Sequence, residues 1–286
     1  MITRRNLCRC ALVGLGAEIT FGQKYPIEPI PARSILDEIK APDSLLTVCW
    51  TGHNGWLIKS GDVLIGTDLV VDAKNRLYGS PISATELASE LDVSFVTHGH
   101  GDHFNRETSR VLVEKSHCTF VIPRSCVDIA REVGIPEDRI RIAQPREPFE
   151  INGVKVQPLR ALHGNPRFAV HREANLDDCG YHITLGGKTF LQPGDSVLLE
   201  DHLFLNHVDV LFFSPTEHNM HVDGSLILIN ELEPDYILPQ HRDTYRVTPQ
   251  NRFWTNGYAY DVKLRLSKGL QSRYHILEQG ERLRIE

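Results

Sequence analysis

Val93-Ser94-Phe95-Val96-Thr97-His98-Gly99-His100-Gly101-Asp102-His103-Phe104 is the stretch on which the reading of this chain turns. A β-branched and aromatic apolar run stops abruptly at a segment that places three imidazoles and a carboxylate within six positions. The run predicts a short buried strand. Alternate side chains of an extended segment share a face, so His98 and His100 are expected to point the same way beyond the strand end. Gly99 and Gly101 are expected to let the backbone bend tightly enough to bring Asp102 and His103 round. Imidazole nitrogens and carboxylate oxygens are the donors a borderline divalent cation such as zinc accepts. A polar loop in which histidines gather by chance is the alternative, and the density of donors argues against it.

Three further donors follow strand-like runs downstream. The run 154–162 leads into His163-Gly164, the run 188–192 into Pro193-Gly194-Asp195-Ser196, and the run 235–239 into Gln240-His241. This ordered set, an H-x-H-x-D-H motif followed by a His, a Gly-Asp turn and a Pro-Gln-His, resembles the signature of the metallo-β-lactamase superfamily over most of the chain beyond about residue 44. Pattern reading alone supports an α/β class, and the resemblance implies the four-layer αββα sandwich of that family. It implies that His98, His100 and His163 hold one divalent ion, that Asp102, His103 and His241 hold a second, and that Asp195 bridges them. Zinc is the first expectation for the pair, with manganese or iron as alternatives. A hydroxide shared by the two ions would attack an electrophilic carbon or phosphorus, with Asp102 also orienting it.

Other residues enter on the same resemblance. Asp68, in Ile65-Gly66-Thr67-Asp68-Leu69, matches an early strand-end carboxylate that would orient a ligand histidine; a turn aspartate is the plainer alternative. His53, in Thr51-Gly52-His53-Asn54-Gly55, lies in a G-H element of one branch of the superfamily, where a site role and a structural role are both open. His218, in Glu217-His218-Asn219-Met220-His221, is expected to contact substrate. The remaining histidines read as surface or hydrogen-bonded side chains, with His171 in a loop over the site.

Length and composition set the frame. The 286 residues suffice for a substantial core, and 41% hydrophobic with 24% charged residues is ordinary for a globular protein. A net charge of -6 gives no support to nucleic acid as the main partner, because phosphate backbones are held chiefly by Lys and Arg. No stretch approaches the ~20 apolar residues that span a bilayer. Six cysteines form no C-x-x-C pair; Cys49, Cys118, Cys126 and Cys179 read as small buried hydrophobes. Residues 1–43 read as a leader and an extended, proline-bearing arm, and residues 44–286 as the hydrolase domain. Met1-Ile2-Thr3-Arg4-Arg5 and the apolar stretch after it resemble a twin-arginine export signal, which favours a periplasmic or secreted location over a cytoplasmic one.

Within the domain, strands are expected near 46–51, 55–59 and 62–69, with a hairpin turn at Ser60-Gly61. Helices are expected over 83–91, 105–115, 124–133 and 226–232, and hairpin turns at Asn152-Gly153 and Gly186-Gly187. Residues 164–179 read as a loop, and 274–277 with 282–285 as a closing pair of strands.

The nearest branch by resemblance is that of L-ascorbate-6-phosphate lactonase-like hydrolases, on the G-H element, the Met220 stretch and Pro239-Gln240-His241-Arg242-Asp243-Thr244-Tyr245. The expected activity is metal-dependent hydrolysis of a small ester, lactone or phosphodiester. N-acyl phosphatidylethanolamine phospholipase D is a more distant cousin with the same metal pattern, so a phospholipase D-like phosphodiesterase is the alternative, with a metal-dependent nuclease behind it. The sequence shows no basic RNA-binding arm of the tRNA-processing kind. It has His100 where diiron oxygen reductases typically carry Glu, and it keeps the bridging Asp that true β-lactamases usually lack. A non-catalytic scaffold would tolerate erosion of the donor set, yet all seven positions are filled.

Overall fold

The computed structural model describes residues 32–41, 45–165, 169–170 and 175–286. The first half supplies β1 (Thr47–Gly52), β2 (Gly55–Ser60), β3 (Val63–Thr67), β4 (Val93–Phe95), β5 (Thr119–Pro123) and β6 (Ile140–Ala143). The second supplies β7 (Phe149–Ile151), β8 (Val154–Arg160), a short hairpin of β9 (Gly164–Asn165) and β10 (Ala169–Val170), then β11 (Cys179–Leu185), β12 (Lys188–Gln192), β13 (Val210–Phe213), β14 (Tyr236–Pro239) and β15 (Arg282–Arg284). The helices are α1 (Ala32–Lys40), α2 (Ala84–Leu87), α3 (Arg106–Lys115), α4 (Val127–Val133), α5 (Glu200–Leu203), α6 (His221–Leu232), α7 (Arg252–Thr255), α8 (Ala259–Arg265) and α9 (Lys268–Ser272). One sheet has the order β15-β1-β2-β3-β4-β5-β6 and the other β14-β13-β12-β11-β8-β7.

Strand alternation builds the layers. Side chains one residue apart point to opposite faces, so Val48, Trp50, Trp56, Ile58, Ile65, Val93 and Phe95 face Val156, Tyr181, Ile183, Phe190, Phe212 and Leu238 between the sheets. Trp56 and Phe212 stack across that gap with ring centroids 4.4 Å apart. The intervening residues Cys49, Leu57, Leu64, Phe120 and Ile122 turn outward onto Ile35 and Ile39 of α1, Leu87 of α2, Leu112 of α3 and Ala130 of α4. Leu191, Leu211, Phe213 and Ile237 turn the other way, onto Leu228 and Ile229 of α6, Val262 of α8 and Leu270 of α9. Each fully buried large side chain contributes roughly 1.5–3 kcal/mol. The result is helix, sheet, sheet, helix, the four-layer α/β sandwich implied by the resemblance.

Strand direction places the site. β1 and β3 are each antiparallel to β2, and β4 is parallel to β3. β8 and β12 are each antiparallel to β11, while β13 and β14 continue parallel to β12. Within each sheet these strands therefore end at one edge, where His53, Asp68, His98, His163, Asp195 and His241 follow β1, β3, β4, β8, β12 and β14.

Several expectations are corrected. Part of the supposed extended arm is α1, whose Ile35 and Ile39 are buried against the first sheet. α6 begins at His221, one and a half turns before the expected start, because Gly224 and Ser225 fit against Met220 and the His221 carbonyl although they weaken the apolar pattern. α7, α8 and α9 occupy residues left unassigned by pattern. Tyr274 forms a single bridge with Ile237 in place of a strand. The loop over 164–179 opens with the β9–β10 hairpin. The twin-arginine-like segment and His171 lie outside the described residues. No helix among the described residues is long and apolar enough to cross a membrane, and Cys49, Cys118, Cys126 and Cys179 are free and buried.

Candidate metal centre

β4 delivers the histidine-rich turn from a strand buried on both faces. Beyond it, the His103 and Phe104 amides both donate to the His100 carbonyl, at 3.0 and 2.7 Å, closing a turn. Asn105 then caps α3, its side chain accepting from the Thr108 amide, and buried Phe104 anchors the turn. Neither Gly99 nor Gly101 has positive φ. A Cβ on Gly99 would lie 2.9 Å from Ile129 Cδ1, whereas one on Gly101 would meet open space. Gly99 therefore admits the Ile129 side chain of α4 rather than making a sharp bend, and Gly101 does neither.

The structure brings the seven predicted donors together. His98, His100 and His163 each offer a nitrogen within 4.8 Å of the others, and the nitrogens of His53, His103 and His241 lie within 4.8 Å of one another and of a carboxylate oxygen of Asp102. Asp195 lies between the sets. Its Oδ2 is 3.4 Å from His163 Nε2 and 3.0 Å from His241 Nε2, while its Oδ1 is 3.5 Å from His103 Nε2. The strand ends that carry them are stitched together: the Leu162 amide donates to Ser196 Oγ, the Val197 amide to the Leu162 carbonyl, and the His241 amide to the His53 carbonyl.

Outer contacts aim these donors. Buried Asp68 accepts the Thr97 amide at 2.8 Å, the Thr97 hydroxyl at 2.7 Å and His103 Nδ1–H at 2.8 Å. With Nδ1 so engaged, His103 Nε2 faces the site. The Thr97 hydroxyl, its proton given to Asp68, accepts from His98 Nδ1 at 3.2 Å and leaves His98 Nε2 facing His100. His53 Nε2 lies 2.9 Å from Asp102 Oδ2, and its ring stacks on His241 with centroids 3.8 Å apart. His218 Nε2 is 2.9 Å from Asp195 Oδ2.

Sequence reasoning missed Asn54. Its Nδ2 sits 2.8 Å from His103 Nε2 and 3.2 Å from Asp195 Oδ1, and Ser214 Oγ holds its Oδ1. Only its place beside His53 signalled it. Gln192 and Gln240, whose amides bond each other at 2.7 and 3.0 Å behind the site, were missed as well. Tyr245 and Trp254 wall the His53 side. His98, Gly99, His100, Ser125, His163, Asn175 and Asp178 line a cleft of about 190 Å³ on the other.

The electrostatics fit a cation. Burial pushes Asp195 up, but the imidazoles of His241, His103 and His218 more than offset it and hold the carboxyl well below the usual carboxylate range. Burial likewise opposes ionisation of Asp102, and His53 with His103 overrides it. Burial drives His98 well below an ordinary imidazole, and it lowers His53 and His241. His98, His53 and His241 kept neutral and carboxylates kept ionised are the protonation states that ligate metal, whereas His103, held protonated by Asp195 and Asp68, must give up a proton to do so. Among the described residues no Lys or Arg pairs with Asp195, and His241 Nδ1 is buried without a partner. The donor set, all nitrogen and oxygen, suits zinc, manganese or iron.

Comparison with known proteins agrees with this architecture. Residues 47–241 match the model of the family described as "Beta-lactamase superfamily domain". The chain is 26% identical over 252 residues to a "UPF0173 metal-dependent hydrolase" of Desulforamulus reducens, an alignment covering 84% of this chain and 100% of the relative. Among solved structures it resembles Igni18, a metallo hydrolase from Ignicoccus hospitalis, with TM-score 0.62 and 18% identity over 84% of this chain and 98% of the other. It also resembles a possible metal-dependent hydrolase from Veillonella parvula, with TM-score 0.67 and 15% identity over 84% and 100%. At these identities the structural likeness speaks to fold. The match of the family model across both sheets carries the assignment: the chain belongs to the metallo-β-lactamase superfamily.

Proposed function

We propose that this protein is a binuclear metal-dependent hydrolase that cleaves a small ester, lactone or phosphodiester. The observation that carries the reading is the convergence of His98, His100, Asp102, His103, His163, Asp195 and His241, from four separate segments, into adjoining donor groups. His98, His100 and His163 would bind one divalent cation, Asp102, His103 and His241 a second, and Asp195 both. Bound there, such a pair supplies Lewis acidity toward the scissile carbonyl or phosphoryl oxygen and makes water ionise near neutral pH. Asp68 fixes the His103 ring, and Thr97 fixes His98. Asp102, with its side chain 23% exposed, is the carboxylate on the solvent side and would orient an incoming water. His53 Nε2 lies against its Oδ2 and would steady that carboxylate. Tyr245 and Trp254 exclude solvent from the opposite wall. Among branches of the superfamily, the lactonase-like one offers the nearest analogy for substrate size.

The test is metal analysis of the purified protein, followed by turnover of a lactone, phosphodiester, thioester and cephalosporin panel, with chelation and metal restoration as control. About two divalent ions per chain and chelator-sensitive turnover of a lactone or diester are expected. His98→Ala and Asp195→Ala are each expected to abolish turnover while the circular dichroism spectrum is retained. Full activity in either variant would overturn the site assignment, and metal-independent turnover the mechanism.

A further inference from the structure

We propose that His218 is itself a ligand of the cation pair, on the side of Asp195 that faces α6 and α7. The inference rests on the metal-binding reading above and adds to its donor set a residue outside the seven. It also moves His218 from substrate contact to metal binding.

The argument begins with the tautomer. His218 is 9% exposed, and its Nδ1 lies 3.1 Å from the Phe253 backbone carbonyl. A carbonyl oxygen only accepts, so the proton is on Nδ1 and the lone pair of the neutral ring is on Nε2. That lone pair is aimed at Asp195 Oδ2, another acceptor, from 2.9 Å. Two acceptors repel at this distance unless something electropositive lies against both. His241 Nε2 and His163 Nε2 approach the same oxygen at 3.0 and 3.4 Å. Donation from His218 Nε2 as well as from Nδ1 would make that ring cationic, with the His163 and His241 ring centroids 4.9 and 5.2 Å away in a buried site. A cation held among His163, Asp195 and His218, whose ligand atoms lie within 4.8 Å of one another, removes the conflict. Donors held about 2.0–2.1 Å from a zinc-sized ion lie roughly 2.8–3.4 Å from one another, for octahedral to tetrahedral arrangements. The observed spacings fall at that range.

The contact to Phe253 is the second observation. A ligating imidazole commonly gives its other N–H to a carboxylate or backbone carbonyl, which fixes tautomer and ring orientation. His103 does so toward Asp68 and His218 toward Phe253. A substrate-binding histidine would instead turn a free nitrogen toward the open cleft, whose lining does not include His218.

The protein is tested as a full chain, stripped of metal and reloaded with cobalt(II) alone. Proton NMR of the cobalt form resolves a strongly shifted exchangeable imidazole resonance for each ligating histidine with a sheltered N–H. His218→Gln is expected to lose one such resonance and to bind the cation at least about 10-fold more weakly in a chelator competition. An unchanged set of resonances with unchanged affinity would overturn the proposal. Should that variant fail to fold, wild-type crystals loaded with zinc decide it by anomalous scattering. A zinc peak at about 2.0–2.1 Å from His218 Nε2 supports the ligand, and peaks only at the other histidines refute it. Wild-type protein that loads metal without His218 sinks this inference alone, whereas wild-type protein that takes up no metal sinks the hydrolase reading with it.

Discussion

Asp68 receives three donors on one buried carboxylate, the Thr97 amide, the Thr97 hydroxyl and His103 Nδ1–H. An amide in its place would offer one acceptor oxygen and turn an NH2 group against a donor. Asp68→Asn is therefore expected to lower cation affinity about 10–100-fold and stability by about 1–3 kcal/mol. Chelator competition and urea unfolding of the metal-free protein measure the two separately; equal affinity in the variant would remove Asp68 from the machinery. His103 adds a pH term. Burial pushes its pKa down, yet Asp195 and Asp68 override this and hold the ring well above the usual imidazole value. The metal-free protein thus keeps a proton on His103 at neutral pH that an arriving cation must displace. Cation uptake in weakly buffered solution at pH 7 is expected to release protons, and affinity to fall as pH is lowered. Affinity independent of pH between 6 and 8 would contradict this.

At the scale of elements, strand ends and the turns after them decide the geometry. The turn after β12 is the most constrained. Gly194 has φ +65°, and a Cβ there would lie 2.7 Å from the Thr97 Cβ. Both the backbone region and the space select glycine. Gly194→Ala is expected to cost about 1–3 kcal/mol, and it should weaken cation binding as well, because Thr97 and Asp195 would have to separate. A melting shift with unchanged cation affinity would show that the turn serves stability alone. Such turns also explain what was legible in the sequence. The donors were readable because each follows an apolar run and lies in a fixed order, and the strands because they are short apolar, β-branched or aromatic runs that stop at polar turns. Asn54 and His218 were not readable as partners of His103 and Asp195, since their contacts join residues 49 to 141 positions apart or depend on a carbonyl of another helix. α1 hid among prolines, and Ile35 and Ile39 reveal a buried helical face only once the first sheet is there to cover it. The glycines of the His-rich turn were misread because a glycine that admits a neighbour's side chain looks, in sequence, like one that bends.

For the molecule as a whole, the second sheet and its helices must hold β8 and β12 in place, and α5 clamps that region. Asp201 accepts from Arg146 at 2.6 Å and from the Arg160 side chain at 2.7 Å, just before His163. Next to it, His202 is fully buried. Its Nδ1 accepts the Leu199 amide at 3.2 Å, and its Nε2 has no partner among the described residues. Burial lowers its pKa from 6.5 to about 4. The sign follows: the unfolded chain binds a proton in this window that the folded protein excludes. The stabilisation is complete above pH 6.5 and is lost as pH falls toward 4. That gap is worth roughly 3 kcal/mol at most. Asp201, held down by its two arginines despite partial desolvation, keeps its charge over the same window and does not contribute to this slope. The acid sensitivity of the clamp is therefore assigned to one imidazole about which the metal donors say nothing. Urea midpoints between pH 7.5 and 5, taken with chelator present for wild type and His202→Gln, test it. The glutamine can still accept the Leu199 amide but binds no proton, so the variant's curve is expected to be flatter by about one proton's contribution. Parallel wild-type and His202→Gln curves would place the acid lability in the metal-site histidines instead.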